Sequence, residues 1–359
     1  MTAASLELDD AAIERLYRLL RPIGPSGFEA PAGAAFDEVA RELGAFETSI
    51  DASGNHVARF GRPGGTIRRM LTGHLDEIGF LVTRIESSGL LRFGPIGGWD
   101  RTVAVGHRVR IVASGPDAGA VDSAHCTGVV SRAAVHLLTA AERAVSPSFD
   151  DLWIDIGVAD AEQARRIVRV GDPMVIDTPI HMYPTRRIAA RALDDRISVF
   201  ACLEAAARAA HHNIDAEFVV LGARTEEIGG FGAMAGTYGI APGEAIAVDV
   251  EPSSDVPGTH ECDVELGKGP VVVMGAVLSR RVGRALVACA EALELPVQVA
   301  AVGSNTSTDS EGVASAGPGV ATGLVGIPTR NLHLPGEICD LVDVEHTILL
   351  LEHWLTRES

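Results

Sequence analysis

The stretch "EFVVLGARTEEIGGFGA", residues 217–233, decides the fold. Its apolar beginning is typical of a buried strand, and the glycines near its end predict a turn into a helix. Between them stand two adjacent carboxylates, Glu226 and Glu227. An unpaired buried carboxylate costs several kcal/mol, so buried acids are paired or bind metal. The pair therefore indicates a site at the end of a core strand, unless both side chains face solvent in a loop.

Strands and helices alternate on both sides of this stretch. A helical pattern, "SVFACLEAAARAAHH", comes before it, and the apolar run "AIAVDV" after it predicts another strand. The helix "RRVGRALVACAEALE", the strand "VATGLVGIP" and the amphipathic helix "VEHTILLLEHWLTRE" follow. This alternation predicts an α/β fold, in which helices sandwich a mixed, mostly parallel central sheet.

The pattern changes between residues 81 and 177. Short β-rich runs such as "GHRVRIVAS" and "DLWIDIG" are separated there by Gly, Pro and Asp, with one predicted short helix, "ADAEQARRIVR". Short β-rich runs separated by turn residues are typical of a small β-barrel or sandwich. We therefore expect residues 1–80 and 178–359 to form one catalytic domain, interrupted by a β-rich domain over residues 81–177.

Composition limits the partners and the compartment. A formal net charge of -18 over 359 residues disfavours binding to nucleic acid and to anionic membranes. The amino terminus lacks the apolar segment of a signal peptide, and no stretch predicts a transmembrane helix. The five cysteines form no CxxC pair, so neither a disulfide framework nor a thiolate zinc site is expected. These features favour a cytoplasmic protein with free thiols.

Other histidines and acids also stand at predicted strand ends or in the adjacent loops. They are His74 with Asp76, Asp194 with Asp195, Asp249, and His333. Taken singly, each has an ordinary explanation: a solvated ion pair on a strand, a helix N-cap, a turn cap or a surface histidine. Asp249, however, ends an apolar strand, where open α/β sheets place their ligands.

Taken together, these side chains predict a metal site. Two imidazoles and several carboxylates, without a thiolate, suit zinc, cobalt or manganese. Two metals roughly 3.5 to 4 Å apart form the usual hydrolytic arrangement of such ligands. One carboxylate then bridges the metals, each metal takes one histidine and one acid, and a water molecule lies between them.

Several motifs, in this order, resemble one branch of the dinuclear metallopeptidases, the glutamyl and deblocking aminopeptidases that form tetrahedral assemblies. They are "GHLDEIGF", "ALDDR", "TEEIGGFGA", "AIAVDVEPS" and "IPTRNLH", supported by "GPSGFE", "DASGN" and "PIGGWD". The predicted β-rich insertion lies between Asp76 and Asp194, where this branch carries its small β-domain.

The resemblance implies a role for each matching metal ligand. His74 and Asp249 would bind one divalent ion. Zinc or cobalt is the implied metal, and manganese is also compatible with these ligands. Glu227 and His333 would bind the second ion, and Asp194 would bridge the two.

The resemblance also implies the catalytic groups. Glu226 would act as general base on the metal-bridged water, and Asp76 would orient His74. The implied enzyme is an aminopeptidase acting on short peptides and working as a homo-oligomer, with dimers that build a dodecamer. A related dinuclear amidohydrolase, such as a deacylase or an N-blocked dipeptide hydrolase, is the alternative.

Two loops differ from the family pattern. The family usually has a Gly-Gly-Thr-Asp-Ala loop before the last strand; here Thr308 and Asp309 match but the preceding glycines do not. Asn331 stands where an aromatic residue is frequent, and Leu334 where a serine is common. These loops lie near the substrate side chain in the family, so the resemblance supports the metal site and does not extend to the specificity pocket.

Overall fold

The computed structural model describes residues 6–118, 125–258 and 264–358. The chain divides into two compact units. The first, called the sheet unit, comprises residues 1–76, 180–332 and 336–359, and the second, called the barrel unit, comprises residues 77–179 and 333–335.

The helices are distributed over both units. In chain order they are α1 (Asp10–Leu20), α2 (Ala30–Glu42), α3 (Arg101–Ala104), α4 (Ala140–Arg143), α5 (Ala161–Ile167), α6 (Leu193–Ala209), α7 (Phe231–Ile240), α8 (Arg280–Leu293), α9 (Ser310–Ser315) and α10 (Leu341–Thr356). The barrel unit thus has α3 and α4 besides α5, the one helix predicted there. Both are four residues long, which is too short to leave a periodic pattern.

The strands are numbered in the same way. They are β1 (Glu47–Ile50), β2 (His56–Gly61), β3 (Ile67–His74), β4 (Gly79–Ile85), β5 (Leu91–Ile96), β6 (Arg108–Val112), β7 (His125–Arg132), β8 (Leu152–Asp155), β9 (Pro173–Ile176), β10 (His181–Met182), β11 (Arg187–Ala190), β12 (Ala216–Ala223), β13 (Glu244–Pro252), β14 (Val271–Gly275), β15 (Gln298–Val302), β16 (Ala321–Arg330) and β17 (Glu337–Asp340).

One mixed sheet forms the sheet unit, in the order β1-β2-β12-β3-β13-β16-β17-β11-β10. Its four central strands, β12, β3, β13 and β16, run parallel to their neighbours within this group. Antiparallel strands extend the sheet on both sides, and β14, paired with β15, also pairs with part of β16. All eight residues of β12 are buried, as expected of a central strand covered on both faces.

Helix α6 forms much of the core beside this sheet. It is buried along nearly its whole length and packs against α10 and β3. A helix that is apolar around most of its circumference belongs in the interior of a protein. Cys126, Cys202, Cys289 and Cys339 are free and buried, whereas Cys262 lies outside the described residues.

The barrel unit is a closed barrel of strands β4-β5-β8-β7-β6-β9, paired antiparallel throughout. Aromatic side chains fill its interior: Phe80 stacks on Trp99 at 4.5 Å between ring centroids and meets Phe93 edge-on at 5.1 Å. The predicted fold class, an α/β sandwich with an inserted small β-barrel, is confirmed. Among the described residues, no helix is both long and apolar enough to cross a membrane.

Candidate metal centre and active site

The parallel strands bring polar side chains to one edge of the sheet. His74, the last residue of β3, pairs with Ala223, the last residue of β12. On the other side of β3, Thr72 pairs with Ala247 of β13, so His74 and Asp249 each lie two residues further along. Side chains two residues apart share a face, so the pairing register places these two side chains together.

The beginning of α6 supplies two more carboxylates. Asp194 and Asp195 lie within its first turn, with non-helical backbone angles and a cis peptide bond between them. Asp194 Oδ1 lies 3.0 Å from His74 Nε2, and Asp195 Oδ2 accepts a hydrogen bond from the backbone N–H of His74 at 3.0 Å. Both aspartates are thus turned toward the end of β3 instead of serving as ordinary N-caps.

His74, Asp194 and Asp249 form a compact group of potential ligands. Each offers one atom within 4.8 Å of the other two, and all three residues are buried. An oxygen of Glu227 also lies within 4.8 Å of Asp194. A group of acids this close together repels itself electrostatically unless protons or cations neutralise it. The donor set therefore fits divalent metal ions.

Asp76 connects this group to the two glutamates. Its side chain is fully buried and accepts hydrogen bonds from Ser26 Oγ at 2.7 Å and from the backbone N–H groups of Glu226 and Glu227 at 3.1 and 3.2 Å. Its Oδ1 also lies 3.4 Å from Nδ1 of His74. One carboxylate therefore fixes both the imidazole and the turn that carries the glutamates.

Asp76 reaches these partners from a loop. Strand β3 ends at His74, so Asp76 lies beyond it. A second ring contact, from His74 Nδ1 to the backbone oxygen of Asp76 at 3.1 Å, comes from the same loop. The contact between the two side chains therefore depends on the loop conformation, which strand periodicity does not determine.

Glu226 and Glu227 begin a short 3-10 turn between β12 and α7. Thr225, just before them, has a left-handed φ of 60°, and its N–H donates to Glu29 Oε1 at 3.2 Å. Asn55 accepts from the N–H of Arg224 at 3.0 Å and donates to the Gly232 backbone oxygen.

Glu29 and Asn55, which are distant from the glutamates in sequence, therefore fix the turn of Glu226 and Glu227 in place. The Glu226 side chain remains 14% exposed, with Oε2 at 3.9 Å from His74 Nε2. It is thus positioned next to the ligand group and is partly accessible to solvent.

Burial and mutual repulsion change how these groups ionise. Burial lowers the pKa of His74, but its bonds to Asp194 and Asp76 outweigh this, so that pKa lies well above its usual range. Burial and the neighbouring acids raise the pKa of Asp249 well above its ordinary value. Burial, with the nearby charges of Asp309 and Glu227, raises the pKa of Glu226 to about 8, against the opposing effect of His74.

His333 lies in the three-residue segment that groups with the barrel unit. It is partly buried and has a left-handed φ of 58°. A Cβ at Gly98 would lie 3.1 Å from its Nδ1, so the glycine in "PIGGWD" leaves room for the imidazole ring.

Some residues of the site gave no usable pattern in the sequence. The sequence indicates Asp195 only as the neighbour of Asp194, and Ser26 only as part of the motif "GPSGFE". Glu337, which accepts from the backbone N–H of Asp194 at 3.0 Å, was not singled out. Asp309 was noted only as a match within the altered loop, which did not indicate its electrostatic effect on Glu226. Single polar residues in loops carry no periodic signal, so only their three-dimensional positions reveal them.

Ligand-type side chains at the carboxyl edge of an α/β sheet, beside a partly shielded glutamate, are the arrangement of a metal-dependent peptidase. The chain belongs to the M42 glutamyl aminopeptidase family, whose model matches residues 54–350. It is therefore a peptide hydrolase of a metal-dependent aminopeptidase family.

Individual relatives agree with this assignment. The lysyl aminopeptidase of Pyrococcus furiosus is 30% identical over 306 residues, which cover 85% of each protein. The crystal structure of a TET aminopeptidase from a marine sediment archaeon of the Thaumarchaeota is 28% identical, with 97% of both chains covered and a TM-score of 0.89. The TET1 peptidase of Pyrococcus horikoshii, described as assembling into a tetrahedron or a large octahedral shell, is 29% identical. There 97% of this chain and 100% of that chain are covered, with a TM-score of 0.81.

Proposed function

We propose that this aminopeptidase removes amino-terminal residues from short peptides, with Glu226 as general base beside two divalent metal ions. The observation that carries the proposal is the position of Glu226, 3.9 Å from His74 Nε2 at the edge of the buried ligand group. A general base must reach both the proton it takes and the solvent or substrate that supplies it.

We further propose the metal ligands. One ion would take His74 and Asp249, and Asp194 would be shared with a second ion held by Glu227 and His333. Zinc or cobalt suits this set, and manganese is also compatible with it. When bound, such ions polarise a carbonyl group and lower the pKa of a water molecule that they share.

The protein's own residues then have separate tasks. Glu226 takes a proton from the attacking water and passes it to the leaving amine as the peptide bond breaks. Asp76 holds His74 through Nδ1, which leaves Nε2 directed toward Asp194 and Asp249. The same carboxylate keeps the backbone of the glutamate turn fixed through the reaction.

We also propose that the β-rich domain over residues 81–177 mediates self-association, through dimers that build a dodecamer. The large assemblies described for the TET1 relative support this. Light scattering on the intact chain tests the proposal, because a particle of roughly twelve chains differs clearly from a monomer. A monomer at micromolar concentration would contradict it.

A substrate screen with metal add-back tests the proposed function. The chelator-treated protein is first supplied with zinc, cobalt or manganese. Its activity is then measured on matched peptides that have either a free or an N-acetylated amino terminus. The number of metal ions bound per chain is determined after desalting. We expect about two ions per chain and cleavage of the free peptides. Cleavage confined to the acetylated set would instead identify a deacylase or an N-blocked dipeptide hydrolase. Absence of metal, with no gain of activity on adding it, would refute the proposal.

A further inference from the structure

Asp309 is a buried carboxylate that the proposed metal chemistry does not use. It occupies the N-cap position of α9 but makes no capping hydrogen bond to that helix. The residue is 3% exposed, and among the described residues neither of its carboxylate oxygens has a hydrogen-bond partner. Aspartate at this position ordinarily accepts from the first turn, so its side chain is turned away from its own helix.

The surrounding loop bonds to itself and leaves this carboxylate out. The Thr306 hydroxyl lies 2.9 Å from the hydroxyls of both Thr308 and Ser310. It also donates to Glu311 Oε1 at 2.8 Å, and Glu311 accepts from the backbone N–H groups of Thr306 and Thr308. The loop is thus braced by its own polar groups, which hold Asp309 in a defined place.

That place adjoins the turn of the two glutamates. Asp309 Oδ1 lies 3.5 Å from the position that a Cβ at Gly230 would take, and the N–H of Gly230 donates to the backbone oxygen of Glu226. The Asp309 carboxylate also interacts electrostatically with His74 and Glu226. It therefore lies beside the turn that carries the two glutamates, where α7 begins.

An unpaired buried carboxylate is costly, and protonation alone does not relieve the cost, because the resulting O–H group would need an acceptor. A cation that carries several N–H donors would satisfy it. A peptide has such a group next to its first peptide bond, the α-ammonium, which is largely protonated near neutral pH.

We propose that Asp309 binds the α-ammonium group of the peptide substrate. This inference rests on the proposed function and deepens it, because it names the residue that distinguishes a free amino terminus from a blocked one. A peptide with an acylated amine would leave the Asp309 carboxylate buried without its cation. A site built around a charged partner discriminates strongly against ligands that lack it.

A pair of metal-binding probes tests the inference without turnover. Alanine hydroxamate and propionohydroxamate share the metal-binding group and differ by the amine alone. Their affinities for the zinc-loaded wild-type protein and for Asp309→Asn are measured by calorimetry. We expect the wild type to prefer the aminated probe, and Asp309→Asn to lower that preference roughly 10- to 100-fold, as expected for a hydrogen bond between charged groups. The affinity for propionohydroxamate should stay within about threefold.

Glu311→Gln is the matched control. It removes one negative charge from the same loop, while its amide oxygen can still accept from both the N–H and the hydroxyl of Thr306. Only the long 3.4 Å contact from the Thr308 N–H loses its acceptor, so the loop should keep its shape and the preference for the amine should remain. Urea unfolding of metal-free Asp309→Asn should give a cooperative transition like that of the wild type, which would show that the variant is folded.

The inference is overturned if Asp309→Asn keeps the wild-type preference, if the wild type has none, or if Glu311→Gln loses the preference equally. These binding results are separate from the substrate screen. Failure of the proposed function would appear as absent cleavage even if the preference for the amine persists.

Discussion

Replacing each glutamate of the pair in turn should separate proton transfer from metal binding. Glu226→Gln and Glu227→Gln both preserve side-chain size and remove one negative charge. Neither change touches the backbone N–H groups that bond to Asp76, so the turn should keep its shape. The two neighbours differ in surroundings: Glu226 approaches His74 Nε2, whereas an oxygen of Glu227 lies within 4.8 Å of Asp194.

The expected magnitudes follow from these positions. A glutamine at 226 cannot accept a proton, so kcat should fall by roughly 10² to 10⁴, the usual contribution of general acid–base catalysis. This corresponds to about 3 to 5 kcal/mol of transition-state free energy. A glutamine at 227 is a weaker metal ligand, and losing even a residue that only supports a ligand costs about 10- to 100-fold in metal affinity. Metal content should therefore fall in Glu227→Gln and not in Glu226→Gln.

The assay measures kcat on one peptide together with metal content after desalting, for the wild type and both variants. Excess zinc or cobalt should restore part of the activity of Glu227→Gln and none of that of Glu226→Gln. The reasoning is refuted if Glu226→Gln keeps a near-normal kcat, or if it loses metal while Glu227→Gln does not.

Three further outcomes are expected. Asp76→Asn keeps one oxygen as an acceptor but presents an NH2 group to one of the two backbone amides that donate to Asp76, so kcat should fall at least tenfold with the chain still folded; unchanged steady-state kinetics would contradict the bridging role. Gly73→Ala would place a Cβ 2.8 Å from Asp195 Oδ2, so metal titration should show weakened binding, and wild-type affinity would argue against the tight contact. Burial raises the pKa of Asp309 to about 7 and, aided by neighbouring acids, that of Glu226 to about 8, so the folded metal-free protein retains protons that the unfolded chain releases. Its free energy of unfolding should therefore fall as the pH rises from about 5 to 8; urea titrations with a chelator present that show a flat or rising trend over this range would oppose this.

The sequence by itself determined the fold class and the types of side chain at the site. Strand and helix periodicities marked the α/β alternation and the β-rich insertion, because burial on a regular element repeats at a fixed interval. Strand ends were also visible, and parallel strands carry their carboxyl ends to one edge. Residues such as His74 and Asp249 could therefore be predicted to gather there, and the order of motifs indicated the family.

Only the tertiary structure decided how that edge is organised. Asp76 holds the glutamate turn through two backbone amides that lie about 150 residues away along the chain. Asp195 turns toward His74 from a distorted first helical turn, and Asp309 faces away from the helix it should cap. These contacts depend on non-repeating loop conformations and on residues that meet only when the sheet assembles. Periodicity carries no information about such loops, since each backbone dihedral angle in them is set by neighbours that are distant in sequence.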